Sequence, residues 1–235
     1  MGNIYVTGSK GFIGKCLMAT LPEVIPVHPH LAHCPCKDDT VIHLANRILP
    51  TFENYLTCIR EMGEILRWSN EGSKIVYISS SVVYMPKPSL YKAMKKACEE
   101  LCNCYRDKLD ISIIRPFNVY GPGQPDSFVV PTIINQVLSG ATTIRVQNPD
   151  AKRTFVYVSD VVNEIIDADK DFLDVGYYEY SIAEVIKMVM DVTGTKLKIE
   201  AVDRHPDNGP EPDKRMGIIS MHEGLKQTIK YMEDH

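Results

Sequence analysis

The sequence predicts an α/β fold in which a doubly wound parallel sheet is followed by a small C-terminal lobe. Three observations support it: short apolar runs alternate with helical patterns over residues 1–125, a glycine-rich turn joins the first run to the first helix, and the later elements are short and scattered. Alternating strands and helices are typical of a parallel sheet with helices on both faces. We therefore expect a sheet domain over residues 1–125, to which parts of residues 140–180 return, and a lobe over residues 126–235 without an independent core.

Composition and charge limit the possible partners. A chain of 235 residues suits one large domain, or one domain with a small appendage. The net charge is −4 and basic residues form no block, so we expect no binding to nucleic acid or to an anionic membrane. No apolar run is long enough to span a bilayer, the N-terminus lacks a signal-peptide pattern, and the seven cysteines form no Cys-x-x-Cys pair. These features favour a reduced, cytoplasmic setting.

The first elements predict a dinucleotide site. Asn3–Thr7 is a strand pattern, followed by the turn Gly8-Ser-Lys-Gly-Phe-Ile-Gly14 and a helical pattern. In this context Gly8 permits the tight turn, Gly11 lets the main chain approach a pyrophosphate, and Gly14 lets the helix pack closely. The start of the helix adds free N–H donors and the positive end of the helix dipole. The sequence therefore predicts a Rossmann-type dinucleotide-binding turn.

The second strand leaves the choice between NAD and NADP open. Val24–His28 is the predicted strand, and its end is where an Asp or Glu ordinarily binds the adenosine ribose of NAD. Here His28 takes that position, and no acid lies between Glu23 and Asp38. Lys10, inside the glycine turn, adds a positive charge close to the expected position of a 2′-phosphate. These features favour NADP, whereas binding of NAD through main-chain groups and His28 is equally compatible with the sequence.

A histidine- and cysteine-rich stretch follows the second strand. Residues 28–36 contain three histidines and two cysteines, and two prolines stiffen the segment. The spacing of these side chains matches no zinc module. We therefore interpret the stretch as a loop on the adenine side of the cofactor and expect no metal site.

Further strands and helices complete the predicted sheet domain. The strands are Thr40–Ala45, which has the character of a buried parallel strand, Ile75–Ile78 and Ile111–Arg115. The helices cover residues 53–70 and residues 89–106. A turn-rich loop over residues 116–124 follows the last strand, at the edge where α/β sheets bind ligands.

The lobe is predicted from shorter patterns. Helices are expected over residues 127–139, 159–168, 181–193 and 222–232, and strands over residues 143–146, 153–158 and 197–201. Ser181 and Glu184 have the spacing of a capping box at the start of the third helix. Residues 203–214 are polar and proline-rich, which predicts a loop.

Residues 79–95 carry a predicted proton-transfer site. An apolar run ends in three serines, residues 79–81, and Tyr91 and Lys95 follow four residues apart on one helix face. A free tyrosine, with a pKa of about 10, is a poor base at neutral pH, whereas a nearby positive charge favours the phenolate. We therefore predict that Tyr91 and Lys95 act together, with Ser80 holding a substrate oxygen beside the phenol.

These residues and three further motifs resemble one family. The chain carries His43-Leu-Ala45, Arg115-Pro-Phe-Asn-Val-Tyr-Gly-Pro-Gly-Gln124 and Arg153-Thr-Phe-Val-Tyr-Val-Ser-Asp160 in that family's order. With the glycine turn, the serine strand end and the Tyr91-x-x-x-Lys95 pair, the sequence resembles the extended short-chain dehydrogenase/reductases, the NAD-dependent epimerase/dehydratase family that acts on nucleotide sugars. The resemblance covers nearly the whole length, and it makes the C-terminal lobe the substrate-binding one.

The resemblance implies a role for each matching residue. Tyr91 is the implied general base, Lys95 binds the nicotinamide ribose and lowers the pKa of Tyr91, and Ser80 hydrogen-bonds the reacting oxygen. The implied cofactor-binding residues are Gly8, Lys10, Gly11, Phe12, Ile13, His28, Leu44, Ala45, Ser79, Tyr91, Lys95 and Pro116. The implied substrate-binding residues are Ser80, Asn118, Arg153 and Arg204. An arginine suits a nucleotide diphosphate because its forked side chain makes two contacts with phosphate.

The resemblance also limits the reactions that the protein is expected to catalyse. Dehydratases of the family carry an Asp-Glu pair where this chain has Ser81 and Val82, and its decarboxylases also carry an acid there, so neither reaction is favoured. A nucleotide-sugar 4-epimerase with a bound nicotinamide cofactor is the first expectation, and a 4-keto-sugar reductase that consumes NADPH is the alternative. A cofactor-binding protein without catalysis is the third, although Tyr91 and Lys95 are both present.

A homodimer is implied as well. In this family the helices equivalent to residues 53–70 and 90–106 pair with those of a second copy in a four-helix bundle. Ile59, Ala97 and Leu101 are candidates for that interface, and they suit an internal core equally well.

Overall fold

The computed structural model describes residues 2–28, 38–46, 51–203, 209 and 217–235. Within these residues the chain forms two compact units. The first unit comprises Met1–Pro116 and Val161–Val175, and the second comprises Phe117–Asp160 and Gly176–His235. The predicted loop over residues 203–214 lies almost entirely outside the described residues.

The described residues contain strands and helices throughout. The strands are β1 (Ile4–Thr7), β2 (Ile25–Pro26), β3 (Thr40–His43), β4 (Lys74–Ile78), β5 (Asp110–Pro116), β6 (Asn118–Tyr120), β7 (Thr143–Gln147), β8 (Lys152–Tyr157), β9 (Phe172–Val175), β10 (Tyr178–Ser181) and β11 (Lys198–Asp203). The helices are α1 (Phe12–Thr20), α2 (Phe52–Trp68), α3 (Leu90–Asn103), α4 (Val129–Leu138), α5 (Val158–Ile166), α6 (Ile182–Thr193) and α7 (Met221–Asp234). A short 3₁₀ helix, Ser81–Tyr84, follows β4. Among these described helices, none has the length and apolar character needed to cross a membrane.

Six strands of the first unit form one parallel sheet, in the order β2-β1-β3-β4-β5-β9. The predicted parallel sheet is thereby confirmed. The chain order reverses between β1 and β3, and such sheets bind ligands beyond the carboxyl ends of the strands at this switch point. In the register, Thr7 lies opposite His43, and His43 lies opposite Tyr77. The strand ends that carry the predicted site therefore lie side by side.

The second strand is shorter than the sequence pattern predicts. β2 retains Ile25 and Pro26, and Val27 adds one main-chain hydrogen bond to Val6. A proline lacks the N–H that a central strand requires, so it is tolerated at the edge of a sheet. Among the described strands, β2 occupies such an edge.

Helices α2 and α3 pack together over one face of the sheet. Their buried residues form one core with side chains of β3, β4 and β5. The spacing of Tyr55, Cys58, Met62 and Ile65 is that of an amphipathic helix, whose apolar stripe faces the sheet. This core holds the face of α3 that carries the predicted catalytic pair against β4.

The second unit has a hydrophobic core of its own, so the expectation that its elements would lack one is wrong. Buried side chains from three strands and three helices meet in it, among them Val130, Ile134, Val185, Val189 and Leu225. The helices and strands described in this unit are short, and the longest of them, α7, has 14 residues. The core forms because many short elements meet in space, which sequence periodicity does not reveal.

The capping box predicted for this unit is confirmed. The Ser181 hydroxyl accepts a hydrogen bond from the main-chain N–H of Glu184, and the Glu184 carboxylate accepts one from the N–H of Ser181. The two bonds satisfy N–H groups that a helix otherwise leaves without partners. Helix α6 therefore begins at a defined residue, and it ends at Gly194, whose φ is +68°.

Candidate active site

The first unit contains a cleft of about 490 Å³ at the carboxyl ends of β1, β2 and β3. It is lined by Gly8, Ser9, Lys10, Pro26, Val27, His28, Ala45, Asn46 and Glu61. The cleft lies at the topological switch point of the sheet, which is the ordinary ligand site of this architecture. Its volume falls in the range of small-molecule and cofactor sites.

The glycine turn at this cleft needs its glycines for steric reasons. Gly8 has a φ of +74°, and a Cβ there would lie 2.7 Å from the main-chain nitrogen of Ala45. A Cβ on Gly14 would lie 2.2 Å from the Gly8 carbonyl oxygen, so the first turn of α1 packs directly on the loop. Gly11 is the N-cap of α1 and gives it no side-chain cap, so the first N–H groups of the helix are available to an anion. These features fit the pyrophosphate of a dinucleotide.

Four predicted cofactor residues line the cleft, namely Gly8, Lys10, His28 and Ala45. Phe12 and Ile13 are the first residues of α1, directly after Gly11. Leu44 follows β3, and its main-chain N–H donates to the Thr7 carbonyl oxygen at 3.2 Å. The structure therefore brings the residues of the glycine turn, the end of β2 and the end of β3 to one place.

Sequence reasoning missed Glu61 in this cleft. The residue lies on α2, and its side chain is buried although it lines the cleft. A signal does exist in the sequence, because Glu61 interrupts the apolar face that Cys58, Met62 and Ile65 form.

Lys95 is fully buried beside the end of β4. Its Nζ donates to the Ile78 carbonyl oxygen at 2.7 Å and lies 5.1 Å from the centre of the Tyr77 ring. Burial lowers the pKa of Lys95 to about 8, and this effect exceeds the opposing influence of nearby acidic groups such as Glu99. The ammonium is therefore held under the strand end with one main-chain acceptor.

The pKa of Tyr91 differs from the sequence prediction. Burial raises the pKa of Tyr91 above its ordinary value, and the nearby Ser80 hydroxyl opposes that rise. The sequence predicts a lowered pKa through Lys95, whose Nζ lies 5.8 Å from the centre of the Tyr91 ring. That prediction is wrong for the protein alone, because desolvation of the phenol is the larger effect and Lys95 donates to the main chain.

Ser80 lies at the N-terminus of the 3₁₀ helix. Its hydroxyl oxygen accepts a hydrogen bond from the N–H of Val82 at 3.2 Å, and Ser80 lies close enough to Tyr91 to oppose the rise in the pKa of the phenol. Ser79 is oriented differently, since its hydroxyl donates to Glu99 at 2.5 Å. The structure thus brings Ser80, Tyr91 and Lys95 together at one strand end, as the sequence predicts.

His43 and Thr7 connect the cleft to this cluster. His43 Nδ1 and Thr7 Oγ1 lie 2.7 Å apart, and the His43 ring stacks on Tyr77 at 5.8 Å. Burial, followed by the positive charge of Lys95, lowers the pKa of His43 to about 3. The imidazole is therefore neutral at physiological pH, whereas Lys95 Nζ lies 5.8 Å from the centre of the Tyr91 ring.

The remaining predicted residues with described positions belong to β5, β6 and β8. Pro116 is the last residue of β5 and not part of a loop, because the strand continues to it and pairs with Val175. Asn118 begins β6 in the second unit, and its Nδ2 donates to the Thr154 carbonyl oxygen at 2.7 Å. Arg153, on β8 of the second unit, donates from Nη1 to the Lys152 carbonyl oxygen at 2.9 Å.

Two predictions fall on residues that the structure does not describe. Arg204, a predicted substrate ligand, lies outside the described residues, as does most of the histidine- and cysteine-rich stretch. Within the part of the chain that is described, no three His, Cys, Asp or Glu side chains are grouped so as to hold a metal ion.

Comparison with known proteins identifies the family to which the chain belongs. The sequence model of the NAD dependent epimerase/dehydratase family matches residues 37–169. The chain is 28% identical to GDP-6-deoxy-D-talose 4-dehydrogenase of Aggregatibacter actinomycetemcomitans, over 92% of this chain and 90% of that protein. It is 27% identical to GDP-6-deoxy-D-mannose reductase of Pseudomonas aeruginosa, over 83% and 82% of the two chains. It is also 27% identical to UDP-glucuronic acid decarboxylase 3 of Arabidopsis thaliana, over 92% and 72%.

Solved structures share the fold. RMD from Pseudomonas aeruginosa, solved with NADPH, superposes with a TM-score of 0.85 at 22% identity, over 100% of this chain and 99% of that one. UDP-glucuronic acid 4-epimerase from Bacillus cereus, solved with UDP-glucuronic acid and NAD, gives a TM-score of 0.80 at 20% identity, over 99% of each chain.

Proposed function

The chain belongs to the NAD-dependent epimerase/dehydratase family, whose members modify nucleotide sugars with NAD or NADP, and we propose that it carries out oxidation–reduction at C4 of a nucleotide hexose. One observation carries this proposal: Ser80 and Tyr91 lie close enough for the Ser80 hydroxyl to oppose the rise in the pKa of the phenol, and the buried ammonium of Lys95 lies 5.8 Å from the centre of the Tyr91 ring. A hydroxyl and a phenol that converge on one point can hold and protonate, or deprotonate, a single sugar oxygen.

The protein's own groups handle the proton. Because the pKa of Tyr91 is raised, the phenol is protonated at neutral pH and serves first as a proton donor. Ser80 holds the oxygen that receives the proton, and Lys95 stabilises the phenolate that remains. A nicotinamide cofactor, when bound, supplies or accepts the hydride. A protonated tyrosine suits reduction of a 4-keto sugar, in which the carbonyl oxygen must gain a proton.

The motifs alone favour 4-epimerisation, and two further observations favour reduction. Lys10 and His28 both line the cleft, where the second strand ends without a carboxylate, and this arrangement suits the 2′-phosphate of NADP. Two of the relatives carry the names of a GDP-6-deoxyhexose 4-dehydrogenase and a reductase. We therefore propose reduction of a 4-keto nucleotide hexose with NADPH as the net reaction. Epimerisation at C4 with a retained cofactor is the second candidate, since the Ser80, Tyr91 and Lys95 set serves it equally.

A paired assay distinguishes these reactions. The purified protein is given NADPH with a GDP-4-keto-6-deoxyhexose, and loss of absorbance at 340 nm is followed; in parallel it is given UDP-glucose or UDP-glucuronic acid without added cofactor, and inversion at C4 is followed by NMR. Reduction predicts stoichiometric NADPH consumption in the first assay and no inversion in the second. Inversion without consumption would establish the epimerase instead. Mass spectrometry of ligand released from the purified protein identifies any retained dinucleotide.

Turnover in neither assay, despite measurable cofactor binding, would contradict both reactions. That result would favour the third expectation, a cofactor-binding protein without catalysis.

A further inference from the structure

The segment that carries Ser80 is anchored at both of its ends by side chains. We call residues 79–84 the serine loop. At its start, the Ser79 hydroxyl donates to Glu99 Oε1, and at its end the Tyr84 hydroxyl accepts a hydrogen bond from Arg115 Nη1 at 2.7 Å. The Tyr84 hydroxyl also donates to the carboxylate of Asp174, whose two oxygens lie 3.0 and 2.9 Å away.

The two anchors are joined to each other. Arg115 Nε donates to Glu99 Oε1 at 2.9 Å, and Arg115 Nη2 donates to Glu99 Oε2 at 2.7 Å. The pair is largely buried, with side-chain exposures of 16% and 8%. A two-pronged contact between a guanidinium and a carboxylate fixes orientation as well as distance. The Arg115 guanidinium is further enclosed by the rings of Tyr84 and Phe172, whose centres lie 5.3 and 4.6 Å from its central carbon.

Together these contacts close a ring around Ser80. The main chain runs from Ser79 to Tyr84, and the side chains of Arg115 and Glu99 return from Tyr84 to Ser79. Ser80 lies within this ring. Its hydroxyl accepts a hydrogen bond from the Val82 N–H, and it lies close enough to Tyr91 to influence the pKa of that phenol. A displacement of either end of the loop would therefore move the Ser80 hydroxyl relative to the Tyr91 phenol.

We propose that Tyr84 is a positioning residue that, through Arg115 and Glu99, holds the Ser80 hydroxyl in line with Tyr91. This inference rests on the proposed function, because it concerns the same proton-transfer group. A catalytic hydroxyl must be held closely to its productive position, and the side chains that hold it are often not in contact with the substrate. Tyr84 has no place in the mechanism itself, and nothing in the sequence pattern assigns it this task.

Among the contacts of this ring, the hydrogen bonds of the Tyr84 hydroxyl can be removed with the smallest change to the structure. Replacement by phenylalanine removes one hydroxyl, keeps the ring beside Arg115 and changes no charge. The Tyr84 side chain is 44% exposed, so water can replace the hydroxyl at Asp174 and the fold should persist. Burial and the Asp174 carboxylate raise the pKa of Tyr84, so the phenol stays protonated and fills both of its hydrogen-bond roles.

The first test compares Tyr84→Phe with the unaltered protein. We expect kcat/KM for the nucleotide sugar to fall by about tenfold, because the Ser80 hydroxyl is less well placed. The dissociation constant for the dinucleotide should not change, since Tyr84 neither lines the cleft nor belongs to the residues predicted to bind the cofactor. Tyr5→Phe is the matched control, because it removes another tyrosine hydroxyl with one exposed hydrogen bond, from Asn3, in the same unit. Full activity of Tyr84→Phe would overturn the proposal.

A double-mutant cycle tests whether Tyr84 acts through Ser80. In a Ser80→Ala background there is no hydroxyl to position, so adding Tyr84→Phe should change kcat/KM by no more than about twofold. A merely structural role of Tyr84 predicts the opposite, namely the same loss in both backgrounds. Equal losses would therefore overturn the proposal even if the single variant is impaired.

A third measurement does not depend on activity. Hydrogen–deuterium exchange should be faster at the amides of Val82, Val83 and Met85 in Tyr84→Phe, because their hydrogen bonds hold the serine loop. If the unaltered protein turns over no nucleotide sugar, the proposed function fails, and exchange decides this inference by itself. Faster exchange confined to residues 79–85 would support the anchoring of Ser80, and unchanged exchange would overturn it.

Discussion

His43 shows how burial sets the charge of a single residue. Its ring is fully buried, bonded to Thr7 and stacked on Tyr77. Burial and then the charge of Lys95 lower its pKa from 6.5 to about 3. In the unfolded chain the same imidazole gains a proton near its ordinary pKa. The unfolded state therefore binds more protons than the folded state between these two values.

This difference predicts how stability depends on pH. The contribution of His43 is fully present above about pH 6.5, and it is lost as the pH falls towards 3, with a slope of up to about 1.4 kcal/mol per pH unit. In His43→Gln, the free energy of unfolding by urea should fall less steeply with pH between 6.5 and 4 than in the unaltered protein. His222→Gln, at an exposed position, should keep the original slope. An unchanged slope in His43→Gln would show that this histidine is not buried in its neutral form.

His28 offers a test of cofactor choice. A carboxylate at the end of β2 accepts hydrogen bonds from a free ribose hydroxyl and repels a 2′-phosphate. His28→Asp should therefore shift the ratio of the dissociation constants for NADPH and NADH towards NADH by about tenfold or more, as measured by fluorescence titration. Lys10→Gln should weaken NADPH binding more than NADH binding. Equal effects on the two cofactors would mean that the adenosine ribose lies elsewhere.

The glycine turn and α1 pack so closely that steric contact, and not helix propensity, requires glycine at position 14. Gly14→Ala would place a methyl group 2.2 Å from the Gly8 carbonyl oxygen, a main-chain atom that cannot move independently. We expect the variant to lose about 1–3 kcal/mol of unfolding free energy and most of its dinucleotide affinity.

Gly63→Ala is the matched control for this substitution. Gly63 lies inside α2, and a Cβ there would meet no atom within 4 Å. Alanine is the better helix former, so this variant should gain roughly 0.5–1 kcal/mol. Equal stability changes in the two variants would contradict the proposed packing of α1 on the turn.

The longer elements could be predicted because local signals specify them. The capping residues Ser181 and Glu184 located the start of α6, and the apolar spacing of α2 located its buried face. The pattern of Tyr91 and Lys95 also placed both side chains on one face of α3, beside the serines that follow β4. In these cases the information lies within one element and its flanks.

Other elements could not be predicted because their information lies in partners distant in sequence. β6, β9 and β10 have only three or four residues each, and each is held by a strand more than 20 residues away. The raised pKa of Tyr91 likewise depends on neighbours that bury the phenol, and the ring around Ser80 depends on Glu99 and Arg115. The spacing of residues in a sequence indicates which of them share one face of a helix or strand. Burial and hydrogen bonds between distant residues arise only when the unit has folded.

The assembly of the whole molecule remains a proposal. Ile59 and Leu101, which were candidates for a dimer interface, pack against the internal core of the first unit. Large apolar side chains nevertheless remain exposed on α2 and α3, namely Phe52, Leu56 and Leu90. We propose that these residues contribute to a homodimer through the two helices, since isolated exposed apolar side chains are common but a cluster on paired helices suits an interface.

Light scattering coupled to size-exclusion chromatography tests the dimer. We expect twice the mass of one chain at micromolar concentration, and a shift towards the mass of one chain in Leu56→Glu, which places a charge within the proposed interface. Ile218→Glu, at an exposed position in the second unit, should leave the mass unchanged. A single-chain mass for the unaltered protein would remove the proposal.

The proposed function depends above all on the phenol of Tyr91 as the group that exchanges a proton with the sugar oxygen. The most direct test is the rate of C4 conversion by Tyr91→Phe, measured at saturating cofactor with binding of the dinucleotide verified in the same preparation. We predict a loss of about 10²–10⁴-fold with cofactor binding retained, because the variant lacks the hydroxyl and keeps the ring. Conversion by Tyr91→Phe at the rate of the unaltered protein would contradict the proposed function.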